Sequence, residues 1–234
     1  LLDEGHDIPH LCHHRAVEPY GACRLCLVEV NQKGWDPQWR KLTTSCNFPV
    51  MAGLTVYVDS ENIRKHRRTT LTLMLAEAPM ASRVQSLAAS HGVTLDEVEQ
   101  SFDDLDRDNL CIHCALCTRI CERLGHWAIA TMGRGIEREP GPPNNEPPPD
   151  CVGCAACAEV CPTHCIPVTM DDGKRVIWNR EFEMVHCKVC GRAHITVEQM
   201  LYHSSRTGLD ESYFEVCEEC SRLQTAEKFM EHVL

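Results

Sequence analysis

Two stretches, "CIHCALCTRIC" at 111–121 and "CVGCAACAEVCP" at 151–162, each set four cysteines at intervals of two, two and three residues. Cysteines so close along a chain make poor structural disulfides with one another, and their thiolates suit metal. The whole chain follows this habit, because 16 of its 17 cysteines fall into four groups of four. Aromatic residues make up 6% of the 234 residues, too few for one large packed core. Bound metal must therefore help stabilise several small modules, since metal held by the folded state alone adds its binding free energy to folding.

Tight cysteine groups point to a reducing compartment, and a cytoplasmic protein is expected. The opening "LLDEGHDIPHL" has neither a basic start nor an apolar h-region, and no apolar run approaches the roughly 20 residues that span a bilayer. Formal net charge is -11, which argues against a nucleic-acid surface. The basic cluster "RKHRR" at 64–68 reads as a solvated helix face.

In the first group, Cys12, Cys23, Cys26 and Cys46 follow the pattern C-x10-C-x2-C-x19-C. Four thiolates with one tight pair suit a 2Fe-2S cluster, which takes two cysteines on each iron. A four-cysteine zinc site would more commonly offer two tight pairs. "RLCLVEV", "WRKLTTSC" and "GLTVYV" read as three strands, with Gly21 in a loop passing close to the cluster. Residues 60–110 hold no cysteine and read as helices. Ser60 caps the first, which Pro79 stops; Ser82 caps the second; Thr94 and Glu97 form a capping box for the third. Leucines and Met74 recur there at helical spacing, as packing residues.

The two repeated runs match two-cluster ferredoxins, in which the fourth cysteine of each run serves the other cluster. One 4Fe-4S set is then Cys111, Cys114, Cys117 and Cys161, and the other is Cys151, Cys154, Cys157 and Cys121. "EPGPPNNEPPPD", half proline, reads as an extended surface loop between them. The last group is "CKVC" and "CEEC", two knuckles 26 residues apart that suit one tetrahedral zinc on Cys187, Cys190, Cys217 and Cys220. A rubredoxin-like iron or a third 4Fe-4S cluster would use the same ligands. Thr196 and Gln199 open a helix within this module, and another helix follows Cys220. His186 and His194 read as ordinary polar residues, and Cys165 as a buried inert thiol.

"DIPHLCHH", "GACRLCLVEV", "VDSENIRKHRRTTLTLMLAEAP" and the paired runs together resemble one family. It is the amino-terminal electron-transfer region shared by the large iron-sulfur subunit of complex I, the iron-sulfur diaphorase subunit of NAD-linked soluble hydrogenases, and iron-only hydrogenases. The resemblance covers the first 170 residues and implies a beta-grasp fold at the front. Two departures stand out: the family's first beta-hairpin is missing ahead of Leu1, and the carboxy-terminal four-cysteine module lies outside the shared region. A further cluster of that family, bound by one histidine and three cysteines, would fall on Ala78, Ser82, Gln85 and His91, none of them a thiolate. That cluster is expected to be lost.

The fold class expected is α+β in four parts. Residues 1–59 form a 2Fe-2S ferredoxin-like domain, 60–107 a helical connector, 108–172 a two-cluster 4Fe-4S ferredoxin and 173–234 a zinc-ribbon-like module. The cofactors expected are one 2Fe-2S cluster, two 4Fe-4S clusters and one zinc ion. A chain of clusters conducts single electrons, and no catalytic residue is assigned. "GRG" at 133–135 is no dinucleotide fingerprint, because it lacks the third glycine. The resemblance implies a partner flavoprotein that oxidises NADH or NADPH and a second partner with the terminal catalyst, such as a hydrogenase, a formate dehydrogenase or an electron-bifurcating reductase. A self-contained iron-sulfur enzyme would need a further catalytic domain. A redox sensor or interaction module would not need three chained clusters.

Overall fold

Apolar alternation in "LVEV" and "LTVY" builds a three-stranded antiparallel sheet in the computed structural model, which describes residues 1–233. Its strands are β1 (Leu27–Gln32), β2 (Lys41–Thr44) and β3 (Leu54–Tyr57), in the order β2-β1-β3. Val28 lies opposite Thr43, and Val30 opposite Val56. β1 is central and covered on both faces. Val28 and Val30 pack with Ile8 and Cys26, while Glu29 turns toward the first helix, accepting from Asn62 Nδ2 at 2.8 Å. The front is therefore a mixed helix and sheet unit.

Helices α1 (Glu61–Glu77), α2 (Ser82–Ser90) and α3 (Leu95–Glu99) follow. Ser60 caps α1 by accepting from Ile63 N, and the helix stops before Pro79. The expected cap at Ser82 falls one residue early: Ala81 is the N-cap and has no side-chain oxygen to give. Thr94 Oγ1 does accept from Glu97 N, but the Glu97 carboxylate goes to Arg68 at 2.9 Å, so the capping box is half made. Leu71, Leu75, Ala78, Val84, Ala88, Val93 and Val98 fill one apolar core with Cys12, Cys23, Leu25, Cys114 and Leu116. The cysteine-free helices thus pack against cysteines from both sides of them in sequence.

The repeated runs give helices α4 (Leu116–Arg123) and α5 (Ala156–Glu159), each entered through a left-handed alanine, Ala115 at φ 57° and Ala155 at φ 60°. Between them β4 (Ala130–Met132) pairs with β5 (Glu139–Gly141), so the proline-rich stretch begins as a strand and is a loop only beyond it. Antiparallel strands β6 (Val168–Asp171), β7 (Lys174–Ile177), β8 (Arg180–His186) and β9 (Ala193–Thr196) form one sheet in that order, across the boundary expected at 172/173. Helix α6 (Val197–Thr207) starts at a Thr196 cap that accepts from Gln199 N. Helix α7 (Glu218–Val233) begins ahead of Cys220 and carries it, instead of following it. Among the described residues no helix is long and apolar enough to cross a membrane.

Candidate metal centres

Cys12, Cys23, Cys26 and Cys46 line one small cavity, with His10, His13 and Tyr20 completing its wall. The first three are buried. Cys23 N donates to Cys12 Sγ at 3.3 Å, and the hydrogen bond between the two thiols lowers Cys23 to about 5 while Cys12 is pushed up. Burial raises Cys46 to about 11. Gly21 has φ +73°, and a Cβ there would lie 3.0 Å from Asn47 Nδ2, so the loop's close passage needs glycine.

Two arginines hold this loop, Arg67 and Arg119. Arg67, expected in a solvated cluster, is 6% exposed and donates to the carbonyls of Leu25 at 3.2 Å, Leu27 at 2.7 Å and Val58 at 3.4 Å. The signal was available, because Ile63, Arg67, Leu71 and Leu75 recur every fourth residue on the buried stripe of α1. Arg119, on α4, donates to Cys12 O at 2.9 Å and Glu18 O at 2.6 Å, tying the front loop to the first repeated run.

The runs behave alike in their backbones. His113 N donates to Cys111 Sγ and Gly153 N to Cys151 Sγ, each at 3.4 Å, from left-handed conformations at 113 and 153. Cys161 Sγ comes 3.4 Å from Cys165 Sγ, and Cys165 lines a cleft with Cys111 and Cys117 of the first run. This neighbouring thiol lowers Cys111 to about 6 and Cys161 to about 5, and Cys165 itself is pushed up. Burial raises Cys114 to about 11 and Cys117 to about 12. Cys165, expected as a buried inert thiol, is only half-buried and lies 3.4 Å from Cys161 Sγ.

Cys121, Cys151, Cys154 and Cys157 line a second small apolar cavity, together with His126, Ile129, Ile177 and Trp178. Ala128 N donates to Cys121 Sγ at 3.3 Å. Cys121 thus meets three cysteines of the other run. His126 Nδ1 is buried in this wall without a hydrogen-bond partner among the described residues. The β7–β9 strands close the far side. Phe182 is fully buried where a Cβ on Gly153 would come within 2.6 Å, and Arg180 donates to Pro148 O, Pro149 O and Cys151 O. Thr196 Oγ1 donates to Val152 O at 2.5 Å.

In the last group the Sγ atoms of Cys187, Cys190, Cys217 and Cys220 all lie within 4.8 Å of one another. Cys217 N donates to Cys187 Sγ at 3.3 Å, and backbone N–H groups of Cys217 and Cys190 hold Cys187 down to about 5. Arg192 adds a guanidinium contact to Cys217 Sγ at 3.6 Å. His186 is exposed and His194 Nε2 sits 2.8 Å from Phe214 O, so neither joins the thiols. At the four connector positions, Ala78 is buried, Ser82 is exposed, Gln85 donates to Pro79 O, and His91 ends α2 with Nδ1 3.1 Å from Leu87 O. In each of the four sets a backbone N–H is turned onto a cysteine sulfur, and thiols so placed are the donor chemistry iron-sulfur clusters and thiolate zinc require.

Comparison with known proteins agrees with this geometry. Residues 1–61 match the family of 2Fe-2S iron-sulfur cluster binding domains. The NADPH-Fe(3+) oxidoreductase subunit alpha of Geobacter sulfurreducens is 32% identical over 183 residues, covering 68% of this chain and 20% of that protein. The NADH-ubiquinone oxidoreductase 75 kDa subunit of Reclinomonas americana is 28% identical over 155 residues, covering 58% of this chain and 22% of that one. The chain spans about a fifth of the length of these curated relatives. A chain in the crystal structure of an NAD+-reducing [NiFe]-hydrogenase in the H2-reduced state superposes with a TM-score of 0.56 at 30% identity, over 70% of this chain and 76% of that one. With 70% of the chain matched at 30% identity to a chain of the hydrogenase, the chain belongs to the family of iron-sulfur subunits that complex I and NAD+-reducing hydrogenase share.

Proposed function

We propose that the chain is an electron-transfer subunit of a multisubunit NAD(P)-linked oxidoreductase, with no substrate chemistry of its own. Cys12, Cys23, Cys26 and Cys46 would hold a 2Fe-2S cluster; Cys111, Cys114, Cys117 and Cys161 one 4Fe-4S cluster; Cys151, Cys154, Cys157 and Cys121 another. Cys187, Cys190, Cys217 and Cys220 would hold zinc in a structural role. Iron-sulfur clusters, when bound, take up and release one electron at a time.

The observation that carries this reading is continuity. Cys12, Cys23 and Cys114 share one apolar core; Cys117, Cys157 and Cys161 share the next; and Arg119 bridges the front loop to the paired runs. Three centres held by these cysteines would be strung along a largely apolar interior, without the connector cluster of the resembled family. A flavoprotein subunit that oxidises NADH or NADPH would lie at one end, and a catalytic redox subunit at the other. In support, the relatives named above are oxidoreductase subunits. The purified, cluster-loaded chain should reduce no dye with NADH, formate or hydrogen until such partners are added. Turnover by the chain alone would contradict the proposal.

A further inference from the structure

Of the 17 cysteines, Cys165 alone falls outside the four groups of four, yet the fold seats it among the ligands of one of them. Its Sγ lies 3.4 Å from Cys161 Sγ. A short turn joins the two: His164 N donates to Cys161 O at 3.3 Å, and His164 is left-handed at φ 51°, so residue 165 folds back beside residue 161. Thr163 and Ile166 are buried on either side, which holds Cys165 within packed structure. Cys165 also lines the cleft that Cys111 and Cys117 line, two of the thiols assigned to the first 4Fe-4S cluster, while Cys161 is buried in the apolar core with Cys117 and Cys157. Two thiolates on one tetrahedral metal, each about 2.3 Å from it, stand roughly 3.8 Å apart. Sulfurs separated by 3.4 Å therefore fit within bonding reach of a single iron.

We propose that Cys165 is a second thiolate for the iron assigned to Cys161, so that the first 4Fe-4S site has five sulfur ligands for four places. Either sulfur serves, and the other rests beside it as a thiol. In passing from one to the other, the iron–sulfur bond of Cys161 breaks and that of Cys165 forms, the Cys165 thiol proton moves to Cys161, and no electron is gained or lost. Thr163 Oγ1, 3.6 Å from Cys161 Sγ, remains a hydrogen-bond partner for the released sulfur. The consequence is a cluster that survives the loss of one of its ligands. The inference rests on the cluster assignment above.

The test uses the full chain, reconstituted anaerobically with iron and sulfide, as the unsubstituted protein, Cys161→Ala, Cys165→Ala and the double variant. Iron analysis and electron paramagnetic resonance are the readouts. Each single variant should hold about ten iron atoms and show both 4Fe-4S clusters, as the unsubstituted chain does. The double variant should hold no intact first cluster, with about six iron atoms left, or about nine where a three-iron remnant persists. A first cluster lost or reduced to three irons in either single variant overturns the inference and leaves the assignment standing. So does a double variant that keeps both 4Fe-4S clusters. Fewer than three clusters in the unsubstituted chain overturn the assignment and the inference together. Should Cys161→Ala fail to fold, Cys161→Ser replaces it in both variants. The inference then stands only when the single variant keeps the first cluster and the double variant loses it, and any other pair of results overturns it.

Discussion

Arg67 occupies a stripe position that its neighbours Ile63, Leu71 and Leu75 give to apolar packing, and it survives burial by donating to three backbone carbonyls. Two of these belong to Leu25 and Leu27, flanking Cys26, so the guanidinium fixes the loop that presents the tight cysteine pair. Arg67→Met should leave those carbonyls without a donor and cost about 2–3 kcal/mol. Thermal unfolding should begin with loss of the 2Fe-2S absorption, and an unaltered melting midpoint would contradict the role. Gly153→Ala is predicted to act at the other end, where a Cβ would enter the Phe182 ring and φ is +68°. Its iron content should drop by about four atoms, with the cluster of Cys111, Cys114 and Cys117 retained. Retention of all the iron would contradict the packing argument. Spacing made the cysteines legible because ligands of one metal are close along the chain. Arg119 was not legible, since its partner lies 107 residues away at Cys12.

At the scale of elements, the two runs are legible twice over, as repeated letters and as repeated backbone, with left-handed residues at 113 and 115 matching 153 and 155. Cys121 leaves α4 toward the cavity of the opposite run, so Cys121→Ala should remove the cluster of Cys151, Cys154 and Cys157 while the other 4Fe-4S signal persists. Loss confined to the nearer cluster would refute crossed ligation. The sheet β6–β9 was less legible, because its strands are short and its pairing depends on Phe182 and Ile177 burying themselves against the second run. Cys187, Cys217 and Cys220 form a separate small core with Val216. A core of that size would depend on a bound metal for its stability. Cys187→Ser should therefore abolish zinc binding and speed amide exchange over residues 187–233, with the iron content unchanged. Exchange spreading to α1–α3 would contradict that independence.

For the whole molecule, the helical connector is the element whose fold outlives its expected chemistry. Family resemblance marks Ala78, Ser82, Gln85 and His91 as the ligand positions, and the helices pack through Ala78, Val84 and Ala88 into the core that also holds Cys12 and Cys114. Those apolar contacts hold the helices together without thiolates. On the proposed assignment the chain would be a three-centre conductor, with the 2Fe-2S cluster beside the first 4Fe-4S cluster where Arg119 and Leu116 tie the front loop to α4. The most direct test is iron and acid-labile sulfide analysis of the anaerobically reconstituted chain, coupled to a redox titration followed by electron paramagnetic resonance. The account predicts about ten iron atoms per chain and three reducible centres, one 2Fe-2S and two 4Fe-4S. About fourteen iron atoms and a fourth centre would contradict it.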